Sequence, residues 1–387
     1  MAEVSTLLGG LTPREFLQQH WQRKPLLVRG AFPDIVSPLT PAELAGLACE
    51  EGVESRLVEQ TRKAPGWKLR HGPFLHKDFK KLPKTRWTLL VQDVDKHVPA
   101  VATLLQPFRF IPDWRIDDIM VSYAADGGSV GPHVDAYDVF LLQVEGMRRW
   151  DIHTAPQPEH TAPGLELKQV EPFEPEESWL LMPGDMLYLP PGVAHHGVAF
   201  GECLTYSVGF RAPTQTELLA DFAADLMQGA DANVRYTDPD LVPAANPGEL
   251  KLEARARARQ MLRAHLRPSD DQLDVWFGRF ITEPKPWLKP VPAARRTSLA
   301  KLKAGLTRRN LAWHPAVRVA WFGVRQSCHL FVDGKHYPLP EKLAAFAELL
   351  GEARNLDGEK LLRLVDHPEI APLLLEWLDA GQLEWNP

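Results

Sequence analysis

The chain has 387 residues, 44% of them hydrophobic and 24% charged, with a formal net charge of −6. That length exceeds one ordinary core and predicts a main domain with one or two smaller ones, and the acidic balance argues against broad binding to a phosphate backbone. Three scattered cysteines, Cys49, Cys203 and Cys328, with no C-x-x-C pair, fit a reducing, cytoplasmic setting; the first residues lack a leader pattern and no stretch approaches a membrane span, so neither secretion nor membrane insertion is expected.

In chain order, Thr12-Pro13-Arg14-Glu15 places a capping hydroxyl, a first-turn proline and a returning carboxylate at the spacing of a helix capping box, with Phe16, Leu17 and Trp21 as the buried face. Thr40-Pro41-Ala42-Glu43 repeats the device, and 25–30 between them reads as a strand. From Trp87 to Phe210, β-rich runs alternate with Gly, Pro and Asp, at 87–91, 119–123, 139–144, 148–152, 179–182, 186–189 and 204–210. Strands at such regular spacing predict a sandwich or barrel.

After Arg211 the pattern becomes helical. A third capping box, Thr214-Gln215-Thr216-Glu217, opens an amphipathic helix ending near Gly229; a charged helix is predicted over 249–266, and Ser269 to Gln272 opens another through Phe280. The proline-rich connector 283–292 marks a domain boundary. Beyond it, 317–324 and 329–332 read as strands, Asp333-Gly334 as a hairpin turn, and two helices precede Gln382-Leu383-Glu384-Trp385.

His133-Val134-Asp135 is the first chemical signal, because side chains at i and i+2 on a strand share a face and can reach one cation. His76-Lys77-Asp78 shows how readily that spacing arises by chance. Context separates the two. Gly127 and Gly131-Pro132 precede His133, an apolar strand follows, and Gly146 is expected to turn the chain into the next strand; later, 184–195 reads as strand, rigid Pro190-Pro191-Gly192 turn, histidine. His76 sits among Lys77, Lys80 and Lys81, as on a solvated face.

These two blocks resemble the paired metal motifs of the cupin superfamily, Gly127, His133, Asp135 and Gly146 matching the first and Gly184, Pro190, Gly192 and His195 the second. The glutamate that many cupins carry between Asp135 and Gly146 is absent, with Val139 and Phe140 in its place. The remaining two histidines and one carboxylate form the facial triad of non-haem Fe(II) oxygenases. Motif spacing selects His195 and leaves His196 as a rim residue, while strand register leaves an exchange of the two open.

Such a triad leaves positions for a bidentate 2-oxo acid and dioxygen, and the distal carboxylate of 2-oxoglutarate then needs a cation deeper in the barrel. In JmjC oxygenases a basic residue at the offset of Arg148 from His133 binds it, so the resemblance gives Arg148 that role; Arg149 should face the opposite way. Thr205 and Ser207 are further candidates for hydrogen bonds to the cosubstrate, or ordinary strand residues.

Three longer blocks, Phe16 to Trp21 with Lys24 to Gly30, Gly131 to Phe140, and Tyr206 to Arg211, resemble the bacterial JmjC-domain ribosomal oxygenases. The resemblance spans the chain and implies a double-stranded β-helix barrel with an N-terminal helical flank (1–211), a helical dimerisation region (212–285) and a winged-helix-like domain (286–387). It further implies a homodimer using Fe(II), 2-oxoglutarate and dioxygen to hydroxylate a ribosomal protein. The bacterial branch 3-hydroxylates an arginine of the large-subunit protein L-sixteen, and eukaryotic relatives modify ribosomal histidines. Tyr137, Asp126 and Asp138 fall in or beside the predicted mouth, where they would meet a cationic arginine, although each also fits a turn or surface role.

Two rival readings stand beside this one. A redox-inactive metal cupin, such as an isomerase, would need no 2-oxoglutarate and leaves Arg148 unexplained. A non-enzymatic regulator would use the winged helix on DNA; Lys301, Lys303, Arg308 and Arg309 supply positive charge, but Glu341, Glu348, Glu352, Glu359 and Asp366 follow, favouring a scaffold or docking role.

Overall fold

The computed structural model describes residues 4–62, 66–161, 168–231, 233–243, 245–264, 266, 268–325 and 327–386. All three predicted capping boxes form: Thr12, Thr40 and Thr214 accept from the backbone of Glu15, Glu43 and Glu217, whose carboxylates return to the cap. They start helices Pro13–Gln19, Pro41–Leu47 and Gln215–Gln228. Each box satisfies two N–H groups that the first helical turn leaves without a partner.

The strands of the N-terminal half are β1 (Leu26–Val28), β2 (Ser55–Gln60), β3 (Trp67–His71), β4 (Trp87–Val91), β5 (Ile116–Ala124), β6 (His133–Val134), β7 (Val139–His153), β8 (Glu159–Thr161), β9 (Lys168–Val170), β10 (Glu177–Leu181), β11 (Met186–Leu189) and β12 (Ala194–Phe210). Their main path is β1-β11-β7-β12-β5-β4-β2-β3, with β10 paired to β7 and β6 to β12. Every pairing along it is antiparallel.

Two long strands close this sheet on itself. The first part of β7 pairs with β11 and the end of β12, and its second part with β10 and the start of β12. The changeover falls at Gly146, whose φ of 63° favours glycine and whose missing Cβ avoids a 2.1 Å clash with the Glu202 carbonyl oxygen. Gly146 therefore bends one strand instead of closing a turn between two, and the strand expected at 204–210 begins at Ala194. Strands that pass from one layer to the other through such a bend make the corners of a β-helix barrel.

Alternation along these strands sorts side chains to two faces. Val139 and Leu141 face a cavity, whereas Phe140, Leu142 and Val144 join the buried cluster of Phe16, Phe108, Tyr188, Tyr206 and Phe210. Phe16, presented by the first capped helix, lies 5.5 Å from the Phe140 ring and 5.0 Å from that of Tyr188. The N-terminal helices thus cover the outer face of the sheet, and truncating Phe16 to alanine should cost about 3–5 kcal/mol.

The chain divides into two compact units, one of 1–212 with 284–317 and 354–387, the other of 213–283 with 318–353. The later strands are β13 (Asn310–Trp313), β14 (Val319–Val324), β15 (Ser327–Val332), β16 (Lys335–Pro340), β17 (Asn355–Leu356) and β18 (Leu383–Asn386). In the first unit they form a small sheet, β17-β13-β18, with helices Leu299–Leu306, Gly358–Leu364 and Ile370–Asp379.

The second unit holds helices Gln215–Gln228, Leu252–Arg263, Asp270–Thr282 and Ala344–Glu352 with the meander β14-β15-β16, whose Asp333-Gly334 turn has φ values of 47° and 76°. The charged helix expected at 249–266 is shorter, and His265 at its expected end lies outside the described residues. Three helices precede β18 where two were expected, because Asp357 caps a separate helix after β17. Among the described residues, no helix is long and apolar enough to cross a membrane.

Candidate active site

β6 carries His133, the loop after it Asp135, and the start of β12 His195. Because β6 pairs with β12 at His195↔His133, the two imidazoles sit side by side, with ring centroids 4.2 Å apart. Nε2 of His195 lies 3.5 Å from Oδ2 of Asp135, and one ligand atom from each of the three residues falls within 4.8 Å of the others. Nδ1 of each histidine is 3.0 Å from the carbonyl two residues earlier, Gly131 or Val193. With the proton there, Nε2 keeps its lone pair, and these bonds fix the ring orientation as ligand-supporting bonds do.

Burial, and then the neighbouring His133, push His195 down to about 4, so its ring is neutral at pH 7. Two imidazole nitrogens and one carboxylate oxygen on a common point suit a divalent transition metal with open positions. His196, on the opposite face of β12, is edge-on to Phe173 at 6.1 Å and is absent from the cavity wall. His76 and Asp78 are separated from this chemistry because they lie on a short helix, His76–Phe79, where Asp78 accepts from the Leu75 backbone and pairs with Arg70.

The three residues line a cavity of about 210 Å³ that also includes Arg148, Thr205, Ser207 and Tyr137. Arg148 is 3% exposed. Its guanidinium donates to Ser122 Oγ at 3.2 Å, Thr205 Oγ1 at 3.5 Å and the Gly197 carbonyl at 3.4 Å, and it lies 5.0 Å from the Trp150 ring. A Cβ on Gly197 would come within 2.7 Å of Arg148 Nε, so the glycine makes room for the buried cation.

Arg148 Nε has no hydrogen-bond partner, and among the described residues no carboxylate pairs with the group. Burial lowers its pKa without removing the charge. A buried guanidinium lacking a counter-anion fits the distal carboxylate of a 2-oxo diacid, so cavity and cosubstrate match chemically. Arg149 points outward and pairs with Asp151 at 3.1 Å, as alternation requires.

Two expected mouth residues are not on the cavity wall. Asp138 is fully buried, its carboxylate accepting from Tyr188 Oη at 2.6 Å, Gln22 Nε2 at 3.0 Å and Arg115 at 3.4 Å. It ties the N-terminal flank to the barrel. Asp126 accepts from the Gly201 backbone at 2.9 Å and stays exposed at a loop. Both lie near the metal motif in sequence, but backbone direction turns them elsewhere.

Sequence reading missed Asp117, Asp118, Ser122 and Trp150, which do line the cavity. Asp118 is 6% exposed, and burial, then Asp95, raise its carboxyl to about 7. The available signal was strand alternation on β5, where Asp118, Met120 and Ser122 share one face and pair with Gly209, Ser207 and Thr205.

Comparison with known proteins gives the same picture. Residues 103–218 match the JmjC domain and 261–384 a ROXA-like winged helix. The chain is 41% identical over 278 residues to the ribosomal protein uL16 3-hydroxylase of Escherichia coli, covering 72% of this chain and 73% of that one. It superposes on the X-ray structure of E. coli YcfD with a TM-score of 0.82 at 34% identity, covering 97% and 98% of the two chains. It also superposes on YcfD, a ribosomal oxygenase, in complex with cobalt and 2-oxoglutarate, with a TM-score of 0.79 at 34% identity and coverage of 97% and 99%. The chain therefore belongs to the JmjC-domain ribosomal oxygenase family.

Proposed function

We propose that this chain is an Fe(II)- and 2-oxoglutarate-dependent protein hydroxylase that 3-hydroxylates an arginine of ribosomal protein uL16, the L-sixteen protein. The observation that carries the reading is Arg148, a buried guanidinium without a counter-anion among the described residues, in the cavity that also holds the His133, Asp135 and His195 triad. The activity named for the E. coli relative and the cosubstrate bound to YcfD support it.

In this reading His133 Nε2, His195 Nε2 and an Asp135 oxygen hold the iron. Arg148, with Thr205 and Ser207, takes the distal carboxylate of 2-oxoglutarate. When bound, the metal with 2-oxoglutarate and dioxygen supplies the oxidation that converts C–H to C–OH, releasing succinate and carbon dioxide. The chain's own residues position the partners. Apolar walls from Met120, Val139, Leu141, Trp150 and Phe210 limit water around the reacting carbon.

Asp117, Asp118 and Tyr137 offer the substrate an acidic, partly aromatic wall. A guanidinium is always charged and makes two parallel bonds to a carboxylate, whereas an imidazole is largely neutral at pH 7. The acidic pair thus supports arginine over histidine as the target. Incubating the protein with Fe(II), 2-oxoglutarate and a uL16 peptide should yield succinate together with a peptide heavier by about sixteen mass units, the inserted oxygen. Modification of a histidine peptide alone, or turnover without 2-oxoglutarate, would overturn the assignment.

In this reading the functional segments are 1–211, 212–285 and 286–387. Exposed Leu219, Met227, Leu252 and Leu262 on the helices of 212–285 support a homodimer formed there. A ribosomal substrate and three unpaired cysteines accord with a cytoplasmic setting.

A further inference from the structure

The connector contributes a cation to the acidic wall. Lys285 stands between Pro284 and Pro286, so prolines restrict the backbone on both sides, and its carbonyl accepts from Leu288 N at 3.0 Å to close a turn. Its Nζ lies 2.6 Å from Asp93 Oδ1 and 3.4 Å from Asp117 Oδ1. Asp93 in turn donates its backbone N–H to Asp118 Oδ2 at 2.8 Å, from a left-handed conformation (φ 56°) that aspartate adopts at some cost.

Ion pairing within this group is uneven. Asp93 and Asp117 share Lys285, and Asp95 pairs with Lys96 while accepting from Ile119 N at 2.7 Å. Asp118 faces the same cavity as Asp117 and, among the described residues, forms no ion pair. It is therefore the carboxyl of the patch without an ammonium of its own.

We propose that Lys285 is a positioning residue for substrate recognition: by clamping Asp93 and Asp117 it holds the Asp118 carboxylate in the cavity as the charge that a guanidinium neutralises. The inference rests on the arginine reading above. Without the ammonium, Asp93 is left as a buried, unpaired carboxylate and Asp117 loses the cation that separates its charge from that of Asp118. Two carboxylates in one site oppose each other's ionisation.

The groups facing Asp118 are Asp93 at the start of helix Val94–His97 and Asp95 within it, Asp117 on its own strand, Tyr137 after the metal motif and Lys285 from the connector; of these only Lys285 draws its carboxyl downward. Lys285 thus acts against the burial and the neighbouring carboxylates that raise the Asp118 carboxyl.

The test is steady-state hydroxylation of a uL16 peptide carrying arginine, beside the same peptide carrying citrulline, from pH 6 to 9 with wild type, Lys285→Gln and Lys285→Arg. For wild type, the KM of the arginine peptide should fall as pH rises through about 7. Lys285→Gln should move that fall to higher pH. A displacement of one unit would lower the ionised fraction at pH 7 from half to about a tenth and raise KM about fivefold. kcat at saturating peptide should change less than twofold, and Lys285→Arg should restore the wild-type profile.

Should Lys285→Gln not fold, Lys285→Met combined with Asp93→Asn removes the buried Lys285–Asp93 pair together and should show the same direction of displacement. If wild type prefers arginine over citrulline but Lys285→Gln keeps its KM and pH profile, the role of Lys285 is overturned and the arginine reading stands. If wild type does not distinguish the two peptides, the arginine reading itself fails.

Discussion

At the scale of single residues, the roles of the buried cation and the triad separate cleanly. Arg148→Ala removes charge-assisted bonds worth about 1.5–3 kcal/mol each, so KM for 2-oxoglutarate should rise at least tenfold while bound metal, read by elemental analysis, stays level. His133→Ala or Asp135→Ala should lose the metal instead; variants retaining full metal and turnover would remove the triad from the account.

The buried histidines also set a pH dependence. His195 and His196 are both pushed to about 4 by burial, and His97 is lowered by the same cause. Below the unfolded value of about 6.5, the unfolded chain binds more protons than the folded one, so these groups make the metal-free protein less stable as pH falls from about 6.5 towards 4. Asp118, raised to about 7, acts with the opposite sign between about 3.8 and 7, but stands against three histidines. The urea midpoint should therefore drop between pH 7 and pH 5; a midpoint that rises would contradict neutral buried imidazoles. His133, Asp135, His195 and Arg148 were legible in the sequence because motif spacing carries them. Asp117, Asp118 and Lys285 were not, since only strand pairing brings the two aspartates to the cavity and only the connector's path brings Lys285 to Asp117.

At the scale of elements, caps and turns were the most readable features, because Thr12, Thr40, Thr214 and Asp333-Gly334 act through their own neighbours. Continuity of strands was less so. Gly146 looks like a turn in sequence, and only the close approach of Glu202 shows why the strand runs through it. β2 and β3 went unpredicted because their half-exposed Arg56, Glu59, Lys68 and Arg70 blur the apolar alternation. Asp138 marks the limit of proximity in sequence, since it braces Tyr188, Gln22 and Arg115 and lies off the cavity wall. Asp138→Ala strands Arg115 in a largely buried position and should cost about 3–5 kcal/mol, read as a lower denaturation midpoint. A variant of native stability with impaired peptide binding would return Asp138 to the mouth.

For the whole molecule, barrel and C-terminal sheet fall in one compact unit and the central helices with the β14-β15-β16 meander in another. The positive charge of the winged-helix region is partly neutralised, since Lys303 pairs with Asp366. That favours docking of a protein partner over DNA, so duplex DNA should bind weakly at physiological salt. The most direct test of the central claim is intact-mass comparison of ribosomal proteins from cells with and without this gene, with fragmentation to locate any difference. When the gene is absent, uL16 should be lighter by about sixteen mass units at one arginine, the oxygen that hydroxylation inserts. Unchanged uL16, or a difference located on a histidine, would contradict it.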